Sequence, residues 1–452
     1  MPSVSVSCSY LATFAAVLVL SGCSSDAAEP NPPVGSAGAP SQGGGAAAQG
    51  GGPFAGAPAG GSSSGGSSGG ASEAGGASAS SSGGPGNSGG GAPLGGNGGA
   101  AAGAAGQTSA GGASGASGSA GSAAGSGGST GTPSVRIVGR TVAGANNSAR
   151  FSWSGVNLHA RFSGTQVSMD LNDGNNKNRF TVVIDGGAPK TVTSPSGQGS
   201  LSLASGLASG THELTVWRNT EAGMGATTFS GFSNFGTGGA LLAPSAPPDR
   251  RIEVVGDSLS AGAGVEGTST SCSPNIDAFT NNYLAYGSVA ARTVSADLST
   301  IAWSGIGVYR NYSSGSPTMP QRYDYAVPND NSAWDFSKYQ PQVTVINLGT
   351  NDFGSGNPGQ PYVDAYVAFV KHIRTKYATT KFILIDMYGG ERLTAINNVV
   401  STLKSGGESQ VESLSFSSVP NNNTACNSHP NTAAQKAMGA ILAARLKSLM
   451  NW

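Results

Sequence analysis

Apolar and polar residues alternate along the middle of the chain, between positions 133 and 245. The alternation runs through the segments ARFSWSG, NLHARFSGTQVSMDLND, RFTVVIDGG and THELTVWRNT, with Gly, Asn and Asp residues at the turns. A period of two is typical of strands that have one face in a core and the other in solvent. Short strands at this spacing predict an all-β sandwich over residues 133–245.

The pattern changes after a Pro-rich linker, APSAPPDR. Four short apolar runs (RIEVVG, STIAWSG, PQVTVINLG and KFILIDM) alternate with helix-like segments at 282–296, 362–377, 393–403 and 432–450. This alternation predicts a parallel sheet with helices on both faces over residues 246–452. Ligands bind beyond the carboxyl ends of such strands, so the residues that follow each strand are the candidates for a functional site.

The N-terminal part of the chain shows neither pattern. Residues 1–23 contain the apolar stretch YLATFAAVLVL followed by Leu-Ser-Gly-Cys, which resembles a bacterial lipoprotein signal and predicts a lipid on Cys23. Residues 1–9 hold no Lys or Arg, which departs from that pattern, and a secretory signal with an unmodified Cys23 is the alternative. We expect a protein anchored by lipid at the bacterial outer membrane or cell surface, or a secreted one.

Residues 24–132 consist almost entirely of Gly, Ala, Ser and Pro. Such a segment has too few apolar side chains to offset the entropy cost of ordering, and no fixed period that would indicate a structural repeat. We therefore interpret it as a disordered tether. About 320 residues remain for globular structure, which is enough for two domains.

The balance of charges limits the kinds of ligand that the protein is expected to bind. The formal net charge is +0, with 23 basic and 23 acidic residues, and no cluster of Lys or Arg occurs. This excludes the basic surface typical of nucleic-acid binding and favours neutral sugars or esters as ligands.

The four cysteines divide into two pairs by position. Cys8 lies within the signal and Cys23 at its end, which leaves Cys272 and Cys426 in the globular part. Disulfides persist in exported proteins, so we predict that these two pair. Two cysteines without clustered histidines do not indicate a metal site.

Polar residues of the kinds used in ester hydrolysis follow the predicted strands. Ser258 follows the first strand, Gly305 the second and Asn351 the third, and His429 lies in the last loop. A serine nucleophile needs a base, and histidine titrates near neutral pH. The backbone N–H groups of Ser258 and Gly305 and the amide of Asn351 would stabilise the oxyanion of a tetrahedral intermediate. This set predicts an acyl-ester hydrolase.

These residues carry a family resemblance. The blocks VVGDSLSAGAG, Gly305, NLGTND and SHP resemble those of the SGNH, or GDSL-like, hydrolase superfamily. With the sandwich before them, the segments RIEVVGDSLSAGAG, IAWSGIGVYRNY, INLGTNDF and CNSHPN resemble carbohydrate esterase family two over residues 134–452. The resemblance implies a jelly-roll domain followed by a flavodoxin-like domain. It implies Ser258 as nucleophile, His429 as base, and Gly305 and Asn351 as oxyanion donors.

The same resemblance implies a substrate class. Members of that family remove acetyl groups from plant polysaccharides and sugars, which here implies an acetylxylan or a 6-O-acetyl glucomannan as substrate. It implies no metal and no organic cofactor. We expect an acetylated polysaccharide or oligosaccharide as the partner of a monomeric protein.

The group that orients His429 is left open by the sequence. SGNH hydrolases usually have an Asp three residues before the His, and here Cys426 holds that position. Some members of carbohydrate esterase family two are described as Ser-His dyads, so the resemblance implies a dyad here, where no Asp or Glu follows Cys426. Either a carbonyl of residues 426–428 or the amide oxygen of Asn427 would accept the ring proton. Asp352 is the rival acid, although its position favours a cap on the following turn.

Aromatic residues surround Gly305 in the sequence. Tyr309 and Tyr312 are candidates for stacking on sugar rings, and packing beneath the loop is an equal alternative for each. Trp303 ends a strand and is expected to pack rather than to bind.

Two other functions remain open at this point. One is an SGNH esterase that acts on lipid or on peptidoglycan acetyl esters. The other is a non-catalytic, carbohydrate-binding surface lipoprotein, which the missing acid keeps open. Activity on p-nitrophenyl acetate would separate an enzyme from a binding protein.

Overall fold

The computed structural model describes the chain from residue 134 onward, with four short gaps. The gaps are at 175–176, 273–274, 314 and 421–422. The predicted signal peptide, the lipidation site at Cys23 and the predicted tether lie outside the described residues and remain predictions. Within the described part, no helix combines the length and the apolar character needed to cross a bilayer.

Antiparallel strands build the first domain, as the period of two predicts. Its strands are β1 (Arg136–Val138), β2 (Val142–Ala143), β3 (Ala149–Phe151), β4 (Asn157–Gly164), β5 (Val167–Asn172), β6 (Arg179–Ile184), β7 (Lys190–Thr193), β8 (Gln198–Ala204), β9 (Gly210–Arg218), β10 (Thr227–Ser233) and β11 (Ala240–Leu242). One sheet has the order β1-β4-β9-β6-β7, with β11 also paired to β4, and the other has the order β2-β3-β10-β5-β8. Apolar side chains of both sheets share one core, which confirms an all-β domain.

The alternation in the sequence corresponds to the two faces of each strand. Along β9, His212, Leu214 and Val216 are buried, whereas Thr211 and Glu213 are exposed. Burial of every second side chain fixes the register of a strand, since a shift by one residue would expose the apolar set.

A parallel sheet forms the second domain. Its strands are β12 (Arg251–Gly256), β13 (Asp297–Ala302), β16 (Val343–Asn347), β17 (Lys381–Asp386) and β18 (Val411–Ser415), and a separate hairpin joins β14 (Tyr325–Val327) to β15 (Ser332–Ala333). The order of the parallel strands is β13-β12-β16-β17-β18. This is the 2-1-3-4-5 order of flavodoxin-like sheets, in which ligands bind at the carboxyl edge.

Helices cover both faces of this sheet. They are α1 (Ser258–Ala261), α2 (Tyr286–Thr293), α3 (Met319–Arg322), α4 (Gln360–Lys376), α5 (Gly390–Ser405) and α6 (Thr432–Met450). Helices α2 and α6 contribute to one hydrophobic core, and α4 and α5 contribute to the other. The predicted helix-covered parallel sheet is therefore present.

The predicted helix over 282–296 is shorter and interrupted. Residues Asn282–Leu284 form a 3-10 turn, Ala285 is extended, and α2 ends at Thr293. The side chain of Asn282 accepts a hydrogen bond from the indole N–H of Trp217 at 3.0 Å. A contact with the first domain therefore fixes this turn, and a periodic pattern in the sequence cannot predict such a contact.

Polar contacts join the two domains. The guanidinium of Arg140, from the loop after β1, is fully buried and lies 3.2 Å from the carboxylate of Glu253 in β12. The hydroxyl of Tyr323 donates to the same carboxylate at 2.5 Å. A second, half-buried pair joins Arg136 to Asp297 at 2.8 Å. Because removal of one buried partner would leave an uncompensated charge, the Arg140–Glu253 pair favours one placement of the sandwich on the sheet.

Candidate active site

A cavity of about 800 Å³ opens at the carboxyl edge of the parallel sheet. Six residues that the sequence singles out lie in its wall: Ser258, Gly305, Tyr312, Asn351, Asn427 and His429. They come from four loops that are distant in sequence. The fold therefore brings the predicted set together at one place.

Ser258 stands at the turn from β12 into α1. The preceding Asp257 caps this helix, since its carboxylate accepts the N–H of Leu259 at 3.0 Å. A side chain on Gly256 would collide with the hydroxyl of Ser260, so only glycine allows this tight turn. Burial raises the pKa of Asp257 to about 7. The turn places Ser258 in the wall of the cavity at the start of α1, a helix whose residues are all buried.

Two backbone N–H groups in the wall are available to a ligand. Among the described residues, neither the N–H of Ser258 nor that of Gly305 donates to a protein acceptor. Gly305 has a φ of +78°, in the left-handed region that favours glycine, and a Cβ there would meet open space. Backbone N–H groups that converge on a cavity are the donors of an oxyanion hole.

Asn351 contacts both of these loops. Its amide donates to the carbonyl of Ile306 at 2.7 Å and, at the longer distance of 3.3 Å, to the carboxylate of Asp257. The side chain thereby links the Gly305 loop to the Ser258 turn. Donation to a bound oxyanion would replace the longer of these two hydrogen bonds.

His429 is held by the main chain. Its Nδ1 lies 3.0 Å from the carbonyl oxygen of Cys426, which accepts the ring proton and leaves Nε2 as the basic nitrogen. Burial lowers the pKa of His429 below its ordinary value, and the carbonyls of Cys426 and Asn427 oppose this effect. The imidazole is therefore neutral at pH 7, the form that a general base requires.

The described residues show no hydrogen bond between Ser258 and His429, although both side chains line the cavity. Contacts between a nucleophile and its base often shorten only when substrate binds. The lack of a hydrogen bond between Ser258 and His429 in the described residues is therefore compatible with their action as nucleophile and base.

Asn427, the other candidate for orienting His429, points elsewhere. Its amide oxygen lies 3.4 Å from Sγ of Cys272. Its own backbone N–H donates to the carbonyl of Thr270 at 2.9 Å. Of the two alternatives that the sequence leaves open, the geometry favours the main-chain carbonyl of Cys426.

Replacement of Asn427 by glycine is expected to change kcat for p-nitrophenyl acetate by less than about threefold, since the Cys426 carbonyl keeps the ring in place. Glycine is chosen because Asn427 has a φ of +53°, where a residue with a Cβ is strained. Asn427→Ala serves as the control and is expected to lower the melting temperature with the same kcat. A loss beyond about tenfold in the glycine variant would instead make the amide the orienting group.

The loop that carries His429 is tied to the loop after α1. Cys272 and Cys426 form a disulfide with their Cα atoms 5.3 Å apart, as predicted from the cysteine count. The backbone N–H of Ala425 donates to the carbonyl of His429 at 3.1 Å, which closes the loop on itself. The carbonyl that orients His429 therefore belongs to Cys426, a residue that the disulfide holds in place.

Asp352 serves the Gly305 loop. Its carboxylate accepts the backbone N–H groups of Val308, Tyr309 and Arg310 at 3.1, 2.7 and 2.9 Å. Burial raises its pKa, and these three donors oppose the rise. The rival acid thus holds a loop of the cavity wall, and its carboxylate oxygens are occupied by three backbone N–H groups of that loop.

The aromatic candidates divide by position. Tyr312 lines the cavity and is 66% exposed, whereas Tyr309 is exposed outside the wall. Trp303 lies in the wall, yet it packs against Trp153 and the guanidinium of Arg322 lies 3.8 Å from its ring. Tyr312 is therefore the stronger of the two tyrosine candidates for contact with a ligand.

Several residues of the wall could not be picked out from the sequence, and they include Glu221, Gly223, Met224, Tyr388 and Arg392. The first three belong to the sandwich, to which the sequence analysis assigned no part of the site. Tyr388 follows β17, and its place after the carboxyl end of a predicted strand was a usable signal. No comparable signal marks the sandwich residues, since only the packing of the two domains brings their loop to the sheet edge.

Each of the two domains matches a known protein family. Residues 137–245 match the family model described as carbohydrate esterase 2 N-terminal, and residues 254–437 match the GDSL-like lipase/acylhydrolase family. The cellulase/esterase CelE of Acetivibrio thermocellus is 34% identical over 331 residues, which cover 71% of this chain and 40% of CelE. The chain thus spans less than half of that relative.

Other relatives are matched over most of their length. An acetylxylan esterase / glucomannan deacetylase of Cellvibrio japonicus is 30% identical over 328 residues, which cover 69% of this chain and 89% of the relative. A solved family two carbohydrate esterase from Clostridium thermocellum, in complex with cellohexaose, is 33% identical with a TM-score of 0.67. That match covers 71% of this chain and all of the solved chain.

Proposed function

The chain belongs to carbohydrate esterase family 2, and on this premise we propose that it is a serine esterase that removes O-acetyl groups from polysaccharides or sugars. The observation that carries the proposal is the cavity that unites Ser258, His429 and two backbone N–H groups that have no acceptor among the described residues. Acetylated xylan and acetylated glucomannan are the substrates we propose, because relatives matched over most of their length bear those names.

Acylation of the enzyme begins with Ser258. Its hydroxyl oxygen attacks the acetyl carbonyl carbon while Nε2 of His429 takes the hydroxyl proton. The negative charge that develops on the carbonyl oxygen is stabilised by the N–H groups of Ser258 and Gly305, joined by the amide of Asn351. Collapse of this intermediate breaks the ester bond, and His429 returns the proton to the departing sugar oxygen.

Deacylation repeats the same steps with water. His429 takes a proton from a water molecule, which attacks the acetyl group on Ser258. The second tetrahedral intermediate uses the same N–H donors. Its collapse breaks the bond between the acetyl carbon and the Ser258 oxygen and releases acetate, while His429 returns its proton to that oxygen and restores the hydroxyl.

During both steps the imidazolium is stabilised by a carbonyl rather than a carboxylate. The carbonyl of Cys426 is a dipole without net charge, so it favours the protonated ring less than an aspartate would. The disulfide at the same residue keeps this carbonyl in position, and preorganisation of this kind recovers part of the rate.

The wall supports a sugar ligand. Tyr312 and Tyr388 are exposed, and the guanidinium of Arg392 lies 4.4 Å from the ring of Tyr388. Flat, rigid aromatic rings and guanidinium groups suit the apolar faces and hydroxyls of pyranose rings. The Clostridium thermocellum relative was solved in complex with cellohexaose, which adds support for a glycan as the ligand of this chain.

The test uses the full chain and two comparisons. We expect acetate release from acetylated xylan or acetylated glucomannan. Hydrolysis of p-nitrophenyl acetate is expected to be at least about 10-fold faster than that of the octanoate, since a relative matched over most of its length is named for the removal of acetyl groups. Faster turnover of octanoate would favour the alternative of a lipid esterase. Binding of the polymers with no turnover of any ester would leave a carbohydrate-binding protein.

A further inference from the structure

Glu221 belongs to one domain and is bound by the other. It follows β9 of the sandwich, yet its carboxylate accepts both the backbone N–H of Ser304 at 2.7 Å and the hydroxyl of Ser304 at 2.5 Å. The residue is 5% exposed and lies in the wall of the cavity. A buried carboxylate with two hydrogen bonds to one residue constrains that residue strongly.

Ser304 directly precedes Gly305, whose N–H is one of the unpartnered donors. The Gly305 N–H lies in the peptide plane between Ser304 and Gly305, so the backbone of Ser304 sets its direction. On its other side the loop is held by the carbonyl of Gly305, which accepts the N–H of Tyr312 at 2.9 Å. Glu221 therefore anchors one of the two ends of the segment that aims this donor.

The loop that presents Glu221 is itself fixed. The buried guanidinium of Arg218 donates to the carbonyls of Thr220, Glu221 and Gly225 at 3.2, 3.2 and 2.6 Å. From the second domain, the amide of Asn329 donates to the carbonyl of Ala222 at 2.8 Å. The loop that carries the Glu221 carboxylate is thus held by hydrogen bonds from both domains.

We propose that Glu221 is a positioning residue of the esterase, supplied by the sandwich domain, that holds Ser304 so that the Gly305 N–H points at the oxyanion. This inference rests on the proposed esterase function. It gives the first domain a part in the chemical step, in addition to any part in binding sugar.

The carboxyl group can hold Ser304 in either protonation state. Burial raises the pKa of Glu221 to about 7, and the nearby charge of Asp277 adds to this rise. The ionised form accepts both hydrogen bonds. The protonated form accepts the N–H through its carbonyl oxygen and donates its O–H to the Ser304 hydroxyl, and a glutamine amide can do the same.

The experiment compares three replacements of Glu221 in the full chain on p-nitrophenyl acetate. Glu221→Gln is expected to keep kcat within about threefold, because both hydrogen bonds are retained. Glu221→Ala and Glu221→Asp are expected to lower kcat by about 10- to 100-fold with KM changed less than about threefold, since neither side chain reaches Ser304 and the donor loses its alignment.

The matched control is Asp297, at the beginning of β13, the strand that ends just before Ser304. Asp297→Asn disturbs the ion pair of Asp297 with Arg136, which also joins the domains but lies away from the cavity. We expect a lower melting temperature and an unchanged kcat. If Glu221→Ala fails to fold, the aspartate variant decides, because it keeps the charge and changes the length of the side chain alone.

Three results would overturn the inference. One is an unchanged kcat in a folded Glu221→Ala or Glu221→Asp variant. Another is an equal loss in the glutamine variant, which would assign the effect to the charge and not to the position of Ser304. The third is a raised KM for acetylated glucomannan with an unchanged kcat on p-nitrophenyl acetate, which would make Glu221 a sugar contact. A parent chain without activity on any acetyl ester would instead overturn the proposed function itself.

Discussion

Replacement of Ser258 by alanine is expected to lower kcat for p-nitrophenyl acetate and for acetylated xylan by about 10⁴- to 10⁶-fold. The hydroxyl oxygen is the only heavy atom of Ser258 that this change removes, and its loss removes the covalent route through an acetyl-enzyme. The N–H donors of Ser258 and Gly305 remain, so a small residual rate above that in water is expected. Steady-state assays with a stopped reaction and acetate detection measure both values.

Ser260 provides a matched control for this replacement. It is a buried serine two positions further along α1, and its hydroxyl lies 2.7 Å from the hydroxyl of Tyr286 rather than in the cavity. Ser260→Ala is expected to lower the free energy of unfolding by about 1 kcal/mol while kcat stays within a fewfold of the parent. A Ser258→Ala protein with more than a few per cent of the parent activity would contradict the assignment of the nucleophile.

The base is tested by the combination of two changes. His429→Ala is expected to lower kcat nearly as far as Ser258→Ala does, and the double variant no further than the more damaging single change. This failure of additivity is expected because the two side chains act as one unit. Additive losses would indicate that His429 serves some other role.

Replacement of Asn351 by alanine is expected to lower kcat by about 10²- to 10³-fold and to leave KM nearly unchanged. The amide is proposed to donate to an oxygen that carries negative charge only in the transition state, so its loss affects the chemical step rather than binding. Turnover and KM measured on p-nitrophenyl acetate give the two effects separately.

A replacement of Asn311 provides the control for Asn351→Ala. It separates the loss of the Asn351 donor from a loss of support for the Gly305 loop. Its amide donates to the carbonyls of Gly315 and Pro317 and its oxygen accepts the N–H of Gly307, so it supports the Gly305 loop without lining the cavity. Asn311→Ala is expected to cost less than about tenfold in kcat. An equal loss in both variants would assign the effect of Asn351→Ala to its contact with Ile306.

Most of the fold could be predicted because its strands are strongly patterned. The apolar runs of β12, β16 and β17 are buried on both faces and stand out in the sequence. Strand β18, with the sequence VESLS, was not predicted. It lies at the edge of the sheet and is mostly half-buried, so its sequence lacks the continuous apolar run that would predict a strand.

The site could be predicted only as far as it follows the strand ends. Ser258, Gly305 and Asn351 each come after a buried strand, where topology alone places them together. Which atom holds His429 could not be read from residue types, because a backbone carbonyl is present at every position. That answer comes from the structure, in which Nδ1 of His429 lies beside the carbonyl of Cys426 and the amide oxygen of Asn427 lies beside Sγ of Cys272.

The cavity wall that the two domains share has a consequence for how such proteins can evolve. Glu221, Gly223 and Met224 reach the site from the sandwich, and the buried Arg140–Glu253 pair fixes how that domain sits. A gene fusion that joined the β-α domain to an unrelated sandwich would carry Ser258 and His429 with it and lose part of the substrate cleft. The two domains are therefore expected to be inherited as one unit, and a chimera of two relatives should work best when the crossover lies outside both.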